Sequence, residues 1–187
     1  MSMISHKQGC LVISLGSAGN FLFEEDILRR TNCRVISLDC TVPGQSIHPR
    51  HSYIQKCLGS AERMREDPRS WVTIDELTRQ YGSIDVLKMD IEGYEYDVMA
   101  SWKASSADAL PSQIAMEIHY LGIYHGTEDF ENKESDNNLI WPPHIMGVSD
   151  LALFVSHMAN MGYSIVSKED NPICPHCSEY LFQRVCE

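Results

Sequence analysis

Short aliphatic runs alternate along this chain with stretches whose apolar residues recur every three or four positions. Residues 10–15 read CLVISL and run into Gly16-Ser17-Ala18-Gly19, which predicts a buried strand and a sharp turn. Asn20 then opens a helix to about Thr31, with Phe23, Ile27 and Leu28 on one face. Glu24, Glu25 and Asp26 begin it and Arg29 and Arg30 close it, the sense a helix dipole favours. Residues 34–39 predict a second strand and residues 53–58 a third. Between them Pro43, Gly44 and Pro49 rule out a regular helix over 42–52. Thr73 with Glu76 makes a capping-box pattern for a helix to Tyr81. A fourth strand (84–90), a helix (93–102) and a fifth strand (113–119) follow. Ser149 is expected to cap a helix carrying Leu151, Phe154, Val155 and Met158, which Gly162 ends. Residues 163–168 and 180–185 read as two last strands with only a loop between them, hence an antiparallel pair at one edge. Strands alternating with helices predict an α/β fold with a mostly parallel sheet and right-handed crossovers.

Composition narrows the class. At 187 residues the chain is expected to be a single domain, 1–187, with enough length for a full core. Lys plus Arg is 15 and Asp plus Glu 26, so the formal charge is 15 − 26 = −11. That balance argues against binding nucleic acid or an anionic membrane surface, and no apolar run approaches the roughly 20 residues of a membrane span. The start MSMISHKQG lacks the pattern of a secretory signal, and the seven cysteines are odd in number. The expectation is reduced thiols in the cytoplasm.

In an open parallel sheet, ligands sit beyond the C-terminal strand ends near the first turn. A dinucleotide turn reads G-x-G-x-x-G, but its middle glycine is here Ala18, which weakens a pyrophosphate site. Asp39 follows Gly16 by 23 residues, close to the spacing of about 20 for a ribose-binding acid. A glycine turn with a ribose acid but no pyrophosphate glycine suits a nucleoside without phosphates, such as S-adenosylmethionine. An NAD-dependent oxidoreductase fits the turn and Asp39, but not the terminal strand pair.

Three stretches then point to one family. VISLGSAGNFLFEEDIL, IDVLKMDIEGYEYDVM and QIAMEIHY resemble the FkbM-like class I methyltransferases, and the end NPICPHCSEYLF is similar to one branch of them. The resemblance runs from about residue 10 to 185. It implies a Rossmann-like fold whose seven-stranded sheet has an antiparallel C-terminal strand and helices on both faces. It also implies S-adenosylmethionine as methyl donor and O-methylation, often of a sugar or glycan hydroxyl. Gly16, Ser17, Gly19, Asn20, Asp39, Leu58, Gly59 and Asp90 are the expected donor-binding residues. The proline-bearing 42–52 segment departs from the full helix usual in the family. A non-catalytic module that binds the donor without turnover is the remaining alternative, and the chain is short enough to be one domain of a larger enzyme.

Period-two alternation places Lys88 and Asp90 on one face of the fourth strand, and Glu117 and His119 on one face of the fifth. Charges in central strands need partners or function. Lys88 and Glu117 are expected either to pair across the strands or to act; Asp90 and His119, at the strand ends, are read as functional. His119 is the base candidate, Asp90 orients it or holds the donor's amino group, and Glu117 completes the catalytic set. No metal is required, although Asp90, Glu117 and His119 could instead hold a divalent ion. DIEG replaces the Asn/Asp-Pro-Pro-Tyr loop of enzymes acting on base amines, a second argument against nucleic acid. Residues 120–148, with Tyr120, Tyr124, His125, Trp141 and His144, read as an acceptor-side lid. Cys174-x-x-Cys177 lacks a second ligand pair for structural zinc and reads as a reduced loop.

Overall fold

The computed structural model describes residues 9–103, 108–119, 147–174 and 177–185. The elements are β1 (Leu11–Leu15), α1 (Leu22–Arg30), β2 (Arg34–Leu38), β3 (His51–Ile54), β4 (Cys57–Leu58), α2 (Ala61–Glu66) and β5 (Trp71–Val72). Then come α3 (Ile74–Tyr81), β6 (Val86–Met89), α4 (Glu95–Ala100), β7 (Gln113–His119), α5 (Val148–Asn160), β8 (Tyr163–Asp170) and β9 (Cys177–Arg184). Seven strands form one sheet in the order β3-β2-β1-β6-β7-β9-β8. The first four pairings are parallel; β9 runs antiparallel to both β7 and β8. The Rossmann-like sheet and the closing antiparallel strands agree with the sequence.

The alternation of side chains divides the core. Leu11, Ile13, Leu15, Leu87, Met89, Ile114 and Met116 face α3, α4 and α5, whose Leu77, Val98, Met99, Phe154 and Met158 complete the larger cluster. On the other face Val12, Val35 and Val86 meet Ile27 and Leu28 of α1. The aliphatic run of β1 is buried at every position because helices cover both faces. Arg50 donates to the carbonyls of Leu28, Thr31 and Cys33, satisfying the acceptors that α1 leaves open at its C-terminus. A buried relay, Glu24–Ser37–His51, fastens α1 to β2 and β3: the Ser37 hydroxyl donates to Glu24 at 3.0 Å and lies 2.9 Å from His51 Nε2.

Three expectations need correction. The third strand does not run to Leu58: the chain turns at Lys56, whose N–H meets the Ile54 carbonyl, and residues 57–58 pair instead with β5 in a separate two-stranded sheet. Ser149 does not cap α5. Gly147 is the N-cap, and its N–H donates to the Asp150 carboxylate at 3.0 Å, so Asp150 supplies the cap from inside the helix.

Six of the seven cysteines are paired, not reduced; Cys186 lies outside the described residues. Cys10–Cys33, Cys40–Cys57 and Cys174–Cys177 are disulfides. The first follows from register. Leu11 lies opposite Arg34, so the residues just before each strand, 23 apart in sequence, meet with Cα atoms 4.5 Å apart.

Candidate functional site

β1, β2, β6 and β7 bring their C-terminal ends to one edge. Gly16 leaves β1 with φ +73°, and a Cβ there would stand 1.7 Å from the Asp90 carbonyl oxygen. Only glycine therefore lets the first turn touch the turn after β6. Ala18 and Gly19 continue left-handed, and nothing lies within 4 Å of a Cβ built on Gly19, so the turn crests into open space. Ser17 is buried; its hydroxyl accepts from Gly19 N–H, while Asn20 Oδ1 accepts from Leu22 N–H where α1 begins.

Asp39 ends β2 beside this turn. Its Oδ2 accepts from Ala18 N–H at 2.8 Å, and Oδ1 takes Thr41 N–H, Thr41 hydroxyl and Val42 N–H. Burial pushes this carboxyl up, but the hydrogen bonds from Thr41, Ala18 and Val42 outweigh it, and Asp39 stays below its ordinary value. The Ala18 bond pins the glycine turn to β2. Leu58 is a core residue and Gly59 lies against the Trp71 ring, on a segment that the Cys40–Cys57 disulfide ties to the residue after Asp39. Gly59 lines a small pocket with Thr73, Asp75, Ser101 and Trp102, which none of the strand-end carboxylates joins.

The expected Lys88–Glu117 pair does not form. Parallel register sets Lys88 opposite Ala115, and its Nζ donates to the Leu15 and Gly16 carbonyls and lies 3.5 Å from Asp90 Oδ2. Glu117 instead accepts from Asn171 Nδ2 at 2.9 Å. Lys88 is thus a brace under the first turn.

His119 and Asp90 do come together. His119 is 2% exposed, and Asp90, Glu92 and His119 each offer one ligand-type atom, all within 4.8 Å of one another. Nε2 of His119 lies 3.5 Å from both Glu92 Oε2 and Glu117 Oε2, and Nδ1 lies 3.3 Å from Glu95 Oε1. Burial alone would lower the ring's pKa, but Glu95, Glu117 and Glu92 more than reverse it, so His119 titrates above the ordinary histidine value. Burial, with Asp90 close by, holds the Glu117 carboxyl above its usual range despite the Asn171 amide and His119. Across the sheet Glu179 faces Glu117 and is raised by burial, then by Glu117 and Asp90.

Glu92 and Glu95 were missed from the sequence. Glu95 opens α4, where acids are commonplace for dipole reasons, yet it is 0% exposed. Glu92 holds φ +57°, unusual for a side-chain-bearing residue, and Gly93 follows at +96°. Cys174 and Cys177 lie near Glu117, but as a disulfide they offer no thiolate. The expected lid at 120–148 lies outside the described residues except for 147–148.

The donor set suits a phosphate-free nucleoside carrying an amino acid. Asp39 Oδ2 receives one described hydrogen bond against three at Oδ1, so it keeps a lone pair for a ribose hydroxyl. Open space at Gly19 admits the ligand, and the partly exposed Asp90 carboxylate suits an ammonium group.

Residues 22–165 match the family model for the Methyltransferase FkbM domain. The match starts past the glycine turn and includes Asp39, Asp90, Glu117 and His119. Among solved structures the chain is similar to a protein from Listeria monocytogenes described as an S-adenosylmethionine dependent methyltransferase: TM-score 0.56, 11% identity, 96% of this chain and 92% of that one. It is also similar to a W203A mutant of the 16S rRNA (adenine(1408)-N(1))-methyltransferase of Catenulisporales acidiphilia: TM-score 0.53, 10% identity, 99% of this chain and 89% of that one. A third likeness is to the small RNA methyltransferase HEN1: TM-score 0.51, 8% identity, 98% of this chain but only 24% of that one. Identities this low carry the fold and not the acceptor. No curated protein matches the chain.

Proposed function

The chain belongs to the FkbM methyltransferase family, whose methyl donor is S-adenosylmethionine, and from that premise we propose that it methylates a hydroxyl group, on a sugar or glycan. Bound S-adenosylmethionine supplies a methyl group already activated by a cationic sulfur. What remains for the protein is alignment and removal of one proton. Asp39 accepts a ribose hydroxyl, with Gly16, Ser17, Gly19 and Asn20 shaping the turn around the nucleoside. Asp90 holds the donor's amino group. His119 takes the acceptor's hydroxyl proton at Nε2, and Glu117 beside it compensates the charge the ring gains.

The observation that carries this reading is the buried His119 ring held among carboxylates, its Nε2 beside Glu117 and Glu92 at the edge where the two turns meet. A neutral hydroxyl needs a base, and an imidazole is the side chain suited to that task near neutral pH. The charge of −11 and the DIEG turn favour a sugar over nucleic acid. Disulfides persist where thiol reductants are scarce, so the cysteine pairs support an oxidising compartment over the cytoplasm.

The test is transfer of labelled methyl from S-adenosylmethionine to a panel of mono- and oligosaccharides, RNA and protein. Label recovered after acid hydrolysis as an O-methyl sugar, lost in His119→Gln, supports the proposal. Label confined to RNA or to amines overturns the acceptor, and full activity in His119→Gln overturns the base.

A further inference from the structure

The three disulfides differ in what surrounds their sulfurs. One carboxylate oxygen of Glu117 and the Sγ atoms of Cys174 and Cys177 all lie within 4.8 Å of one another. Among the described residues, neither of the other two pairs has a carboxylate or imidazole so placed. The two cysteines of this pair are also unequal. Cys177 opens β9 opposite His119 and is 2% exposed, whereas Cys174 is half-buried and follows Ile173, which is 91% exposed. An accessible first cysteine and a shielded second one direct an incoming thiol to the first sulfur. Asn171 holds this loop and Glu117 together. Its Oδ1 accepts from Ile173 N–H at 3.0 Å and from Cys174 N–H at 3.2 Å, while its Nδ2 donates to Glu117 Oε1 at 2.9 Å. The other oxygen, Glu117 Oε2, lies 3.5 Å from His119 Nε2.

We propose that Cys174–Cys177 is a redox-active disulfide that exchanges with an external thiol of the glutathione class, opened at Cys174 and protonated at Cys177 by Glu117. The external thiolate attacks Cys174 Sγ. A bond forms between them, the Cys174–Cys177 bond breaks, and its electron pair leaves on Cys177. A thiolate there would be buried beside Glu117, whose own neighbours Asp90 and Glu179 are acids, and such an uncompensated charge is costly. The Glu117 proton removes that cost, and the new Cys177 thiol can donate to the Cys174 carbonyl oxygen, 3.5 Å from its sulfur. A second external thiolate attacks the outer sulfur of the mixed disulfide; Cys174 leaves as a thiolate and takes a proton from water. Solvent reprotonates Glu117. In sum, one protein disulfide and two external thiols give two protein thiols and one external disulfide, an exchange of two electrons and two protons. Cys177 leads into β9 and not into a helix, so no helix N-terminus stabilises a thiolate here and the proton supply falls to Glu117. Burial, and then Asp90, raise the Glu117 carboxyl above its ordinary range against the pull of the Asn171 amide and His119, which keeps a proton on it closer to neutral pH. The charged and titratable groups around it are Asp90 and Lys88 from the β6 end, His119 on its own strand and Glu179 opposite it on β9. The exchange uses neither methyl donor nor acceptor, so it does not depend on the role given to His119.

The full chain, with no methyl donor or acceptor present, tests this with glutathione. Cys177→Ser treated with oxidised glutathione should carry one glutathione on Cys174, located by peptide mass spectrometry, while native Cys174→Ser should leave Cys177 unmodified. Opening by reduced glutathione is then followed in the wild type by alkylation of Cys174 and Cys177 at timed intervals. Divided by the glutathione thiolate concentration, the rate should fall as pH rises through the titration of Glu117. Glu117→Gln keeps an acceptor for Asn171 but has no proton to give. Its opening should be slower by about 10-fold or more at the acid end, and flat with pH after the same correction. Glu179→Gln should keep the sloping profile. Glutathione on Cys177 in native Cys174→Ser overturns the order of attack. A rate and slope unchanged in a folded Glu117→Gln overturn the proton donor, and a flat wild-type profile does so even if that variant fails to fold.

Discussion

At the residue scale, two glycines of one turn should behave differently. Gly16 and Gly19 share a positive φ, but a methyl on Gly16 runs into the Asp90 carbonyl while one on Gly19 enters open space. Gly19→Ala should cost only the left-handed backbone penalty of about 1–2 kcal/mol in denaturant titrations. Gly16→Ala should cost well beyond that and abolish S-adenosylhomocysteine binding, since it separates the two turns that form the site. Equal effects would mean the close approach is unimportant. His119 carries a second expectation. Only the neutral ring accepts a proton, and the carboxylates around it raise its pKa, so kcat should fall with acid and its inflection should stand above 6.5. A rate independent of pH from 6 to 9 would remove His119 from the chemistry.

At the element scale, the disulfides differ in what they join. Cys10–Cys33 ties the starts of the parallel neighbours β1 and β2, and both cysteines are 0% exposed. Cys40–Cys57 ties the end of β2 to β4, and Cys40 is exposed. Mild reductant followed by alkylation and mass spectrometry should therefore label Cys40 and Cys57 while Cys10 and Cys33 stay protected until the fold opens. Replacing Cys10 and Cys33 together by alanine should lower stability by about 3 kcal/mol, as expected for a cross-link closing a loop of this length. A double variant as stable as wild type would mean the bond adds nothing that packing of two buried side chains does not.

At the scale of the whole molecule, one edge of the sheet collects the chemistry. The glycine turn sits on the β1–β2 side and the carboxylate–histidine cluster on the β6–β7 side, with Lys88 bracing the seam. S-adenosylhomocysteine should raise Tm, because a ligand that binds only the folded state stabilises it by RT ln(1 + [L]/Kd). Asp39→Ala should shrink that rise twice over, by removing the ribose acceptor and by freeing Ala18 from β2. No rise at millimolar ligand would contradict the donor site. Methyl transfer should survive EDTA. Loss with chelator and recovery with magnesium or manganese would turn Asp90, Glu92 and His119 from a base cluster into a metal site.

The order of the main-sheet strands and of α1, α3, α4 and α5, the antiparallel ending, and the placing of Asp39, Asp90 and His119 at one edge were legible along the chain; β4, α2 and β5 were not. Each legible feature depends on local periodicity, on turn residues, or on the rule that a parallel sheet gathers its strand ends. The cysteine pairs, the partner of Lys88 and the burial of Glu95 were not. They depend on register and on which helix closes over which strand, quantities a one-dimensional pattern does not contain. Lys88 and Glu117 share a face by alternation, yet register puts Ala115 opposite Lys88 and sends its ammonium to the carbonyls that end β1. Glu95 looks from its spacing like any acid in a first helical turn, until packing shuts it against a histidine 24 residues farther on (119 − 95). Sequence set which groups the chain carries to the edge of the sheet; tertiary structure alone decided which of them lose water and face one another, because burial and distance set the strength of every charge among them.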